Sequence, residues 1–212
     1  MKSINFFDET KNQPIYRALV HEIGHAWSMY VTNHLPSGTK INYLSHFWDG
    51  LQTFEKYDGL MQDNHIIDNK DGTYSVIHYD EDHLSKFHPF ALYLMGLETP
   101  DNIKEDFLLI KDMSHYTSGP YYENGIRVGS QETYTSPVEK VRISEFIIAA
   151  GEPRNPNFAT SQKDFTIAYI LVTKKSTQPT VAQMKKIKYI RDTLPKKWNE
   201  ATLGKSNILQ TQ

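Results

Sequence analysis

One five-residue motif, His21-Glu22-Ile23-Gly24-His25, constrains this chain more than any other feature, because it lies in a stretch that predicts a helix from about Pro14 to Thr32. In an α-helix, residues four apart lie one turn above each other, so one metal ion can bind both imidazoles. The carboxylate between them can then reach a water molecule on that ion. This HExxH motif predicts a zinc site with His21 and His25 as ligands and Glu22 as the general base.

The apolar residues of this helix form two neighbouring stripes, which predicts that the helix packs inside the protein. The first stripe is Ile15, Leu19, Ile23, Ala26 and Tyr30, and the second is Val20, Gly24, Trp27 and Val31. The two motif histidines lie on the remaining face, so we expect them to look into a cleft. The alternative is a core helix with two hydrogen-bonded histidines, and the glutamate placed between them favours the metal site.

A catalytic zinc site needs a third protein ligand and an open position for water, and spacing alone does not identify that ligand. In the metzincin pattern HExxHxxGxxH, a glycine and a histidine would stand where this chain has Ser28 and Val31, so that subclass is excluded. The remaining candidates all carry imidazole or carboxylate groups, which are suitable zinc ligands. They are His34, His46, Glu55, Asp58 and His65.

Several longer runs resemble a largely uncharacterised group of secreted bacterial proteins with zincin-like HExxH helices and a YSPLxxYLMGL-type run. The matching runs here are His21 to Trp27, Ser45 to Trp48, Gly59 to Asn64, Asp68 to Thr73 and His88 to Leu97, and the similarity continues to the C-terminal helix. The resemblance implies an α+β, zincin-like metallopeptidase domain. We expect it to be mostly helical, with a small sheet or hairpin and a central active-site helix.

The resemblance also implies that His46 is the third zinc ligand, because its counterpart is the one histidine placed just after the HExxH helix. It further implies that Met61 lies in a turn beneath the metal. The segment between these two residues is longer here than in the relatives, and His88 stands where they have a serine. Glu55 and Asp58 therefore remain alternatives for the third ligand.

The expected activity is peptide-bond hydrolysis by a zinc metallopeptidase. Glu22 would take a proton from a metal-bound water and pass it to the leaving amine. Tyr93 and His88 are candidates for stabilising the oxyanion from the opposite side. Two other classes fit the same residues: a non-catalytic binding module stabilised by zinc, and a metallohydrolase that acts on a non-peptide ester or amide. The partner expected of the peptidase is a peptide or protein substrate.

Length and composition predict one soluble domain spanning residues 1–212, because 212 residues with 39% hydrophobic content can bury a sizeable core. Zincins usually place a mixed sheet and a supporting helix before the motif, whereas the stretch before His21 has room for one strand at most. This favours the alternative that the domain is the C-terminal part of a larger protein. A net charge of −2 gives no reason to expect nucleic acid, and the absence of cysteine excludes disulfides and thiolate metal sites.

Targeting features are sparse. The chain has no apolar stretch of about 20 residues, so we expect no membrane span. Asp8 and Glu9 interrupt the N-terminal apolar run, which is not the core of a signal peptide. A secreted location is therefore implied by the resemblance alone.

Local patterns predict the remaining elements. A hairpin turning at Asp71-Gly72 is favoured over a calcium loop, which would need an acid at Ile67. Pro89 predicts the start of a short helix through Leu97. The other expected elements are a long loop over 111–137, a helix over 144–150, a buried strand over 165–173, and a basic C-terminal helix that is interrupted at Pro195. In the loop, Tyr116, Tyr121 and Tyr122 are candidates for lining a substrate groove, and exposed packing aromatics are an alternative at least as favoured. We expect the basic face of that helix to be solvated.

Overall fold

The computed structural model describes residues 15–26, 51–52, 65–79, 86–104, 106–110, 112 and 114–210. These residues form four α-helices and nine β-strands. The helices are α1 (Ile15–His25), α2 (Pro89–Leu94), α3 (Ile143–Ala150) and α4 (Val181–Ala201). The strands are β1 (Leu51–Gln52), β2 (His65–Asp68), β3 (Tyr74–Tyr79), β4 (Phe107–Ile110), β5 (Tyr116–Glu123), β6 (Ile126–Tyr134), β7 (Val138–Val141), β8 (Asp164–Thr166) and β9 (Asn207–Leu209).

The described residues are rich in β-sheet, so the prediction of a mostly helical zincin-like fold is wrong. One antiparallel sheet has four strands in the order β2-β3-β6-β5, and a second has three in the order β1-β4-β7. Strands β8 and β9 form a separate parallel pair. The helices of the described part lie outside these sheets, and α1 is one of several elements on a shared core rather than the centre of a helical domain.

Strand β4 is the boundary between two hydrophobic cores. Its side chains alternate between the two faces of the sheet, as those of any strand do. Phe107 packs into a larger core with the helices, which we call the helical core. Leu108 and Ile110 pack into a smaller core with Ile66, Val76 and Tyr134 of the four-stranded sheet. The three-stranded sheet is therefore the middle layer between the helices and the four-stranded sheet.

The region predicted as a long loop over 111–137 contains the longest hairpin of the described chain, so that prediction is wrong. Strands β5 and β6 pair antiparallel around a two-residue turn at Asn124 and Gly125. Both turn residues have positive φ, 51° and 77°, which is the conformation of a type I′ hairpin turn. Asn-Gly is the usual sequence of such a turn. The flanking segments were predicted as loop because they are rich in Ser, Gly and Tyr.

The predicted hairpin at Asp71-Gly72 is confirmed by the pairing of β2 with β3, in which His65 lies opposite Ile77. The acidic side chains bond within the turn. Lys70 N donates to Asp68 at 2.9 Å and Thr73 N donates to Asp71 at 2.9 Å. Side-chain bonds from Lys70 Nζ to Asp68 and from Thr73 Oγ1 to Asp71 lower the pKa of the two carboxyl groups most, and these backbone bonds add to the lowering, because all of them stabilise the charged form. The two acidic side chains that could have bound calcium are therefore used to stabilise the hairpin turn.

Helix α2 begins at Pro89 as predicted but ends at Leu94, three residues earlier than expected. A Schellman motif stops it, in which Leu97 N donates to Leu92 O at 2.7 Å and Gly96 N donates to Tyr93 O at 2.9 Å. Gly96 has φ of 74°, which a glycine adopts at little cost. Helix α3 starts at Ile143, one residue before the predicted start.

Helix α4 runs without a break through Pro195, so the predicted interruption there is wrong. Proline has no N–H to donate to the carbonyl four residues earlier, which is Arg191 O. The side-chain amide of Gln210 donates to that oxygen instead, at 3.3 Å. A contact from beyond the helix thus replaces the missing bond. The buried face of α4 consists of Ile190, Leu194, Trp198 and Ala201.

The predicted buried strand over 165–173 is also corrected. Only Asp164–Thr166 form a strand, which pairs with β9, and the segment that follows buries alternate residues rather than all of them. None of the helices in the described part of the chain is long and apolar enough to cross a bilayer.

Candidate metal centre

Helix α1 carries the HExxH motif along the edge of the helical core. Val20 is buried in that core, and Leu19 and Ile23, which lie one turn apart on the adjacent stripe, pack against it. Tyr16 meets Tyr189 of α4 edge-to-face, with 6.2 Å between the ring centroids. Both predicted apolar stripes therefore supply packing residues where the structure describes them. This packing holds the backbone of α1 and so sets the direction of the remaining face.

The remaining face carries His21 and His25, both half-buried. Their Nε2 atoms are 2.9 Å apart, and their ring planes are nearly perpendicular, with an interplanar angle of 86°. At this distance one ring donates its Nε2 proton to the Nε2 lone pair of the other. The two nitrogens thus point at one location, and a proton lies between them there.

A zinc ion fits at that location in place of the proton. A Zn–N distance of about 2.0–2.1 Å to both nitrogens gives an N–Zn–N angle of about 90° at the observed separation. A tetrahedral angle would need the nitrogens about 3.3 Å apart, which is an opening of about 0.4 Å. The imidazole pair therefore has the donor atoms and the convergence that a shared transition-metal ion requires.

Glu22 is exposed, whereas its neighbour Gly24 is buried. The glutamate therefore lies on the solvent side of α1 next to the histidine pair, where a carboxylate can exchange protons with water. The prediction that the pair looks into a cleft depends on segments outside the described residues, and it stays a prediction.

The described residues do not supply a third ligand to the candidate pair. Within the part of the chain that the structure describes, no group of three His, Cys, Asp or Glu side chains is placed to hold an ion. His65 is described and does not join His21 and His25, so it is not the third ligand in this structure. His34, His46, Glu55 and Asp58 lie outside the described residues, as does Met61.

His65 instead belongs to a second polar cluster, on the four-stranded sheet, that sequence reasoning missed. Its Nδ1 lies 3.0 Å from Tyr79 Oη, which donates to Glu123 Oε1 at 3.2 Å. Burial raises the pKa of Tyr79 strongly, and the charge of Glu123 adds to the rise. Gly129 lies between Tyr79 and Tyr121 in the strand register, which lets their rings meet at 6.1 Å. In the sequence, this glycine was the one signal that two large side chains pack against each other across β6.

The two residues suggested for oxyanion stabilisation have structural roles in the helical core. His88 is buried and caps α2, where its Nδ1 accepts a hydrogen bond from Phe90 N at 3.1 Å. Tyr93 is buried, and its hydroxyl accepts a bond from Arg154 N at 2.9 Å. Both side chains thus stabilise α2 and the segment that crosses it.

The tyrosines expected to line a groove lie on the hairpin of β5 and β6. Tyr116 and Tyr122 are exposed, and Tyr121 is half-buried against Tyr79. Tyr116 and Tyr122 lie on one face of β5 and Tyr121 on the other, because strand residues alternate. The three rings therefore do not form one surface.

No family model, curated protein or solved structure matches this chain. The candidate site therefore depends on its own residues and their geometry.

Proposed function

We propose that this protein is a zinc-dependent metallopeptidase, in which His21 and His25 bind the ion and Glu22 is the general base. The observation that carries the proposal is the 2.9 Å approach of the two Nε2 atoms beside an exposed carboxylate. We propose His46 as the third ligand, following the resemblance described above, with Glu55 and Asp58 as alternatives. The same resemblance is the basis for proposing a secreted enzyme that acts on peptides or proteins.

The chain's own residues divide the chemistry between them. Zinc, when bound, polarises a carbonyl group and lowers the pKa of water to about 7. The packed apolar faces of α1 hold the two imidazoles in place, so little reorganisation is needed when the ion binds. A carboxylate oxygen of Glu22 takes the proton of the attacking water and then delivers it to the leaving nitrogen.

The exposed Glu22 favours a catalytic zinc site of a hydrolase over a structural zinc site that only stabilises the fold. Structural zinc sites are closed by four protein ligands and need no base, whereas a catalytic site keeps one position open to water. An ester or non-peptide amide would meet the same groups, so a substrate profile decides between a peptidase and another metallohydrolase.

The test combines zinc analysis with cleavage of a peptide library followed by mass spectrometry. We expect about one zinc per chain in the wild type. Glu22→Gln should keep the zinc and lose hydrolysis by about 10²–10⁴-fold, because it removes the base but not the ligands. His21→Ala should lose both. Glu152→Gln, which changes another exposed glutamate, is the matched control and should change neither.

Two results would contradict the proposal. If wild-type protein is purified without chelators, holds no zinc and takes up none, the chain has no zinc site. If Glu22→Gln cleaves peptides at the wild-type rate, Glu22 is not the general base. The third ligand is tested by zinc affinity of His46→Ala, Glu55→Gln and Asp58→Asn, of which only the variant at the true ligand should bind zinc much more weakly.

A further inference from the structure

The segment that follows β8 has an unusual pattern of exposure. From Asp164 to Thr173, every even-numbered residue is exposed and every odd-numbered residue is half-buried. A strict period of two over ten residues is that of an extended strand with one face on the protein. Phe165, Ile167 and Tyr169 pack against the helical core from this segment. Residues 164–173 therefore form one extended segment, of which only β8 pairs with β9 and only the part up to Tyr169 packs against the helical core.

One edge of this extended strand is open. Asn207 N of β9 donates to Lys163 O at 2.8 Å, so the odd-numbered backbone groups face β9. The even-numbered N–H and C=O groups point to the opposite edge, since these directions alternate along a strand. Among the hydrogen bonds of the described residues, none is made by the backbone of residues 168–172. On the open edge, the carbonyl of Asp164 accepts from the side chain of Gln162.

The side chains along this edge are apolar and exposed. Ile170 is 81% exposed and Val172 is 85% exposed. Residues 165–173 contain no charged residue, no glycine and no proline. Natural proteins usually protect an edge strand with one of these features, because an open apolar edge pairs readily with another strand. This edge lacks such protection over nine residues.

We propose that the edge pairs antiparallel with the same edge of a second copy of this chain, which makes a two-fold symmetric dimer. The two-fold axis passes through Tyr169, so Ala168 lies opposite the partner subunit's Ile170. In this register, exposed residues pair with exposed residues, and the even-numbered backbone groups meet those of the partner. The arrangement satisfies both open edges at once, because a two-fold contact uses the same surface twice.

Charge complementarity at the strand ends selects this register. With the axis at Tyr169, Asp164 lies opposite the partner subunit's Lys174, and the symmetric pair forms at the other end. A shift by two residues would separate these charges, and a shift by one would put exposed residues opposite half-buried ones. The flanking lysines do not face this contact in the same way: Lys163 turns its Nζ to the Phe158 ring, 3.9 Å from the centroid, and Lys175 lies in the turn after the segment. Asp164 and Lys174 are therefore the charges that end the uncharged stretch on its exposed face, and they are complementary in the antiparallel direction. A parallel pairing would place like charges together.

The first experiment measures the mass of the full chain by sedimentation equilibrium between about 1 and 200 µM, a range suited to a small interface. The mass should rise from 24.6 kDa towards about twice that value and stop there. Ile170→Lys should weaken the association constant at least tenfold, because it places a charge next to the axis in both copies. Ile148→Lys on α3 is the matched control, since Ile148 is 78% exposed and lies away from this edge. It should dimerise like the wild type.

A cysteine test reads the register directly, because the natural chain contains no cysteine. Protein carrying Ala168→Cys, mixed with protein carrying Ile170→Cys, should cross-link under mild oxidation to a much greater extent than either protein alone. A monomer at all concentrations, aggregates that grow without limit, or a dimer that Ile170→Lys leaves intact would overturn the proposal. Equal cross-linking in the mixed and the separate samples would overturn the register. The inference does not depend on the metal centre.

Discussion

Two helices of this protein bring histidines to the same hydrophobic core, and the surroundings of those histidines differ. On α1, His21 and His25 are half-buried and turn their Nε2 atoms towards each other. On α2, His88 at the N-cap is buried and accepts a hydrogen bond from the backbone of the helix that it begins. The residue type is the same in both places. Burial and the partner of each ring nitrogen therefore separate a candidate ligand from a structural histidine.

The other polar group of α2 is also buried and has a structural partner. The helix residues from Phe90 to Leu94 are all buried, and the one hydroxyl among them, on Tyr93, accepts a bond from Arg154 N. On α1, by contrast, Glu22 is exposed beside the histidine pair. Polar groups around α2 should thus act on stability alone, and those on the motif face of α1 on metal binding and activity.

The sharpest way to break this comparison is to remove one histidine from each helix. His21→Ala should abolish zinc binding and hydrolysis, and it should change the unfolding free energy of the metal-free protein by less than about 1 kcal/mol, because the ring is only half-buried. His88→Ala should cost about 3 kcal/mol through the lost cap and the cavity, and should leave zinc binding unchanged. Urea unfolding and zinc analysis measure both quantities.

His88→Asn is the control for the second variant, because asparagine also accepts the cap bond and should restore part of the stability. If His88→Ala folds but binds no zinc, His88 belongs to the metal centre and the distinction between the helices fails.

The next effect in size concerns the end of α2. A Cβ atom on Gly96 would lie 2.8 Å from Pro156 O and 2.9 Å from Ser161 Cβ, at a residue with φ of 74°. Gly96→Ala should therefore cost about 2–4 kcal/mol from the left-handed conformation and the crowding together. Gly125→Ala has a similar φ of 77° but open space around it, so it should cost only about 1–2 kcal/mol. Equal losses in urea unfolding would show that the close packing behind α2 does not matter.

Local signals in the sequence predicted the elements that depend on near neighbours. The HExxH spacing brought His21 and His25 together, Pro89 began α2, and the turn at Asp71-Gly72 formed its hairpin. Each of these depends on a helical repeat, a fixed φ or a turn conformation, and none requires a distant contact.

The elements that were missed depend on distant partners or on a weak hydrophobic pattern. Helix α4 continues through Pro195 because Gln210 bonds to the carbonyl that proline leaves without a donor. The hairpin of β5 and β6 exposes tyrosine, serine and threonine on its open face, so no apolar alternation marks its strands. The sequence signal for this hairpin was the turn pair Asn124-Gly125. The identity of the proposed third metal ligand depends on distant partners in the same way, because chain spacing does not determine which distant side chain would reach the histidine pair.

The smallest of these effects concerns Glu98, which follows α2 and is only 7% exposed. Lys205 Nζ donates to its Oε2 at 2.6 Å, and Asn102 Nδ2 and Thr99 N donate to its Oε1. Burial raises the pKa of Glu98, but these hydrogen bonds and the charge of Lys205 outweigh it, so the pKa lies below the ordinary value of 4.5. Because the folded pKa is depressed, the carboxylate stabilises the fold above pH 4.5, and this stabilisation is lost as the pH falls through the folded pKa.

Lys205→Met should therefore cost about 2 kcal/mol at pH 7 and flatten the loss of stability that occurs as the pH falls below 4.5. The cost is below that of a fully buried pair, because the side chain of Lys205 is itself partly solvated. Lys197→Met removes a surface partner of Glu200 and should cost less than about 0.5 kcal/mol. The hydrogen bond from Lys197 lowers the pKa of Glu200, so this variant should also flatten the pH profile, but less than Lys205→Met because Glu200 is more solvated than Glu98. Neither variant should alter zinc binding. A zinc loss in Lys205→Met alone would mean that the core around α2 and the motif face of α1 are coupled, and that the two helices cannot be treated as separate in function.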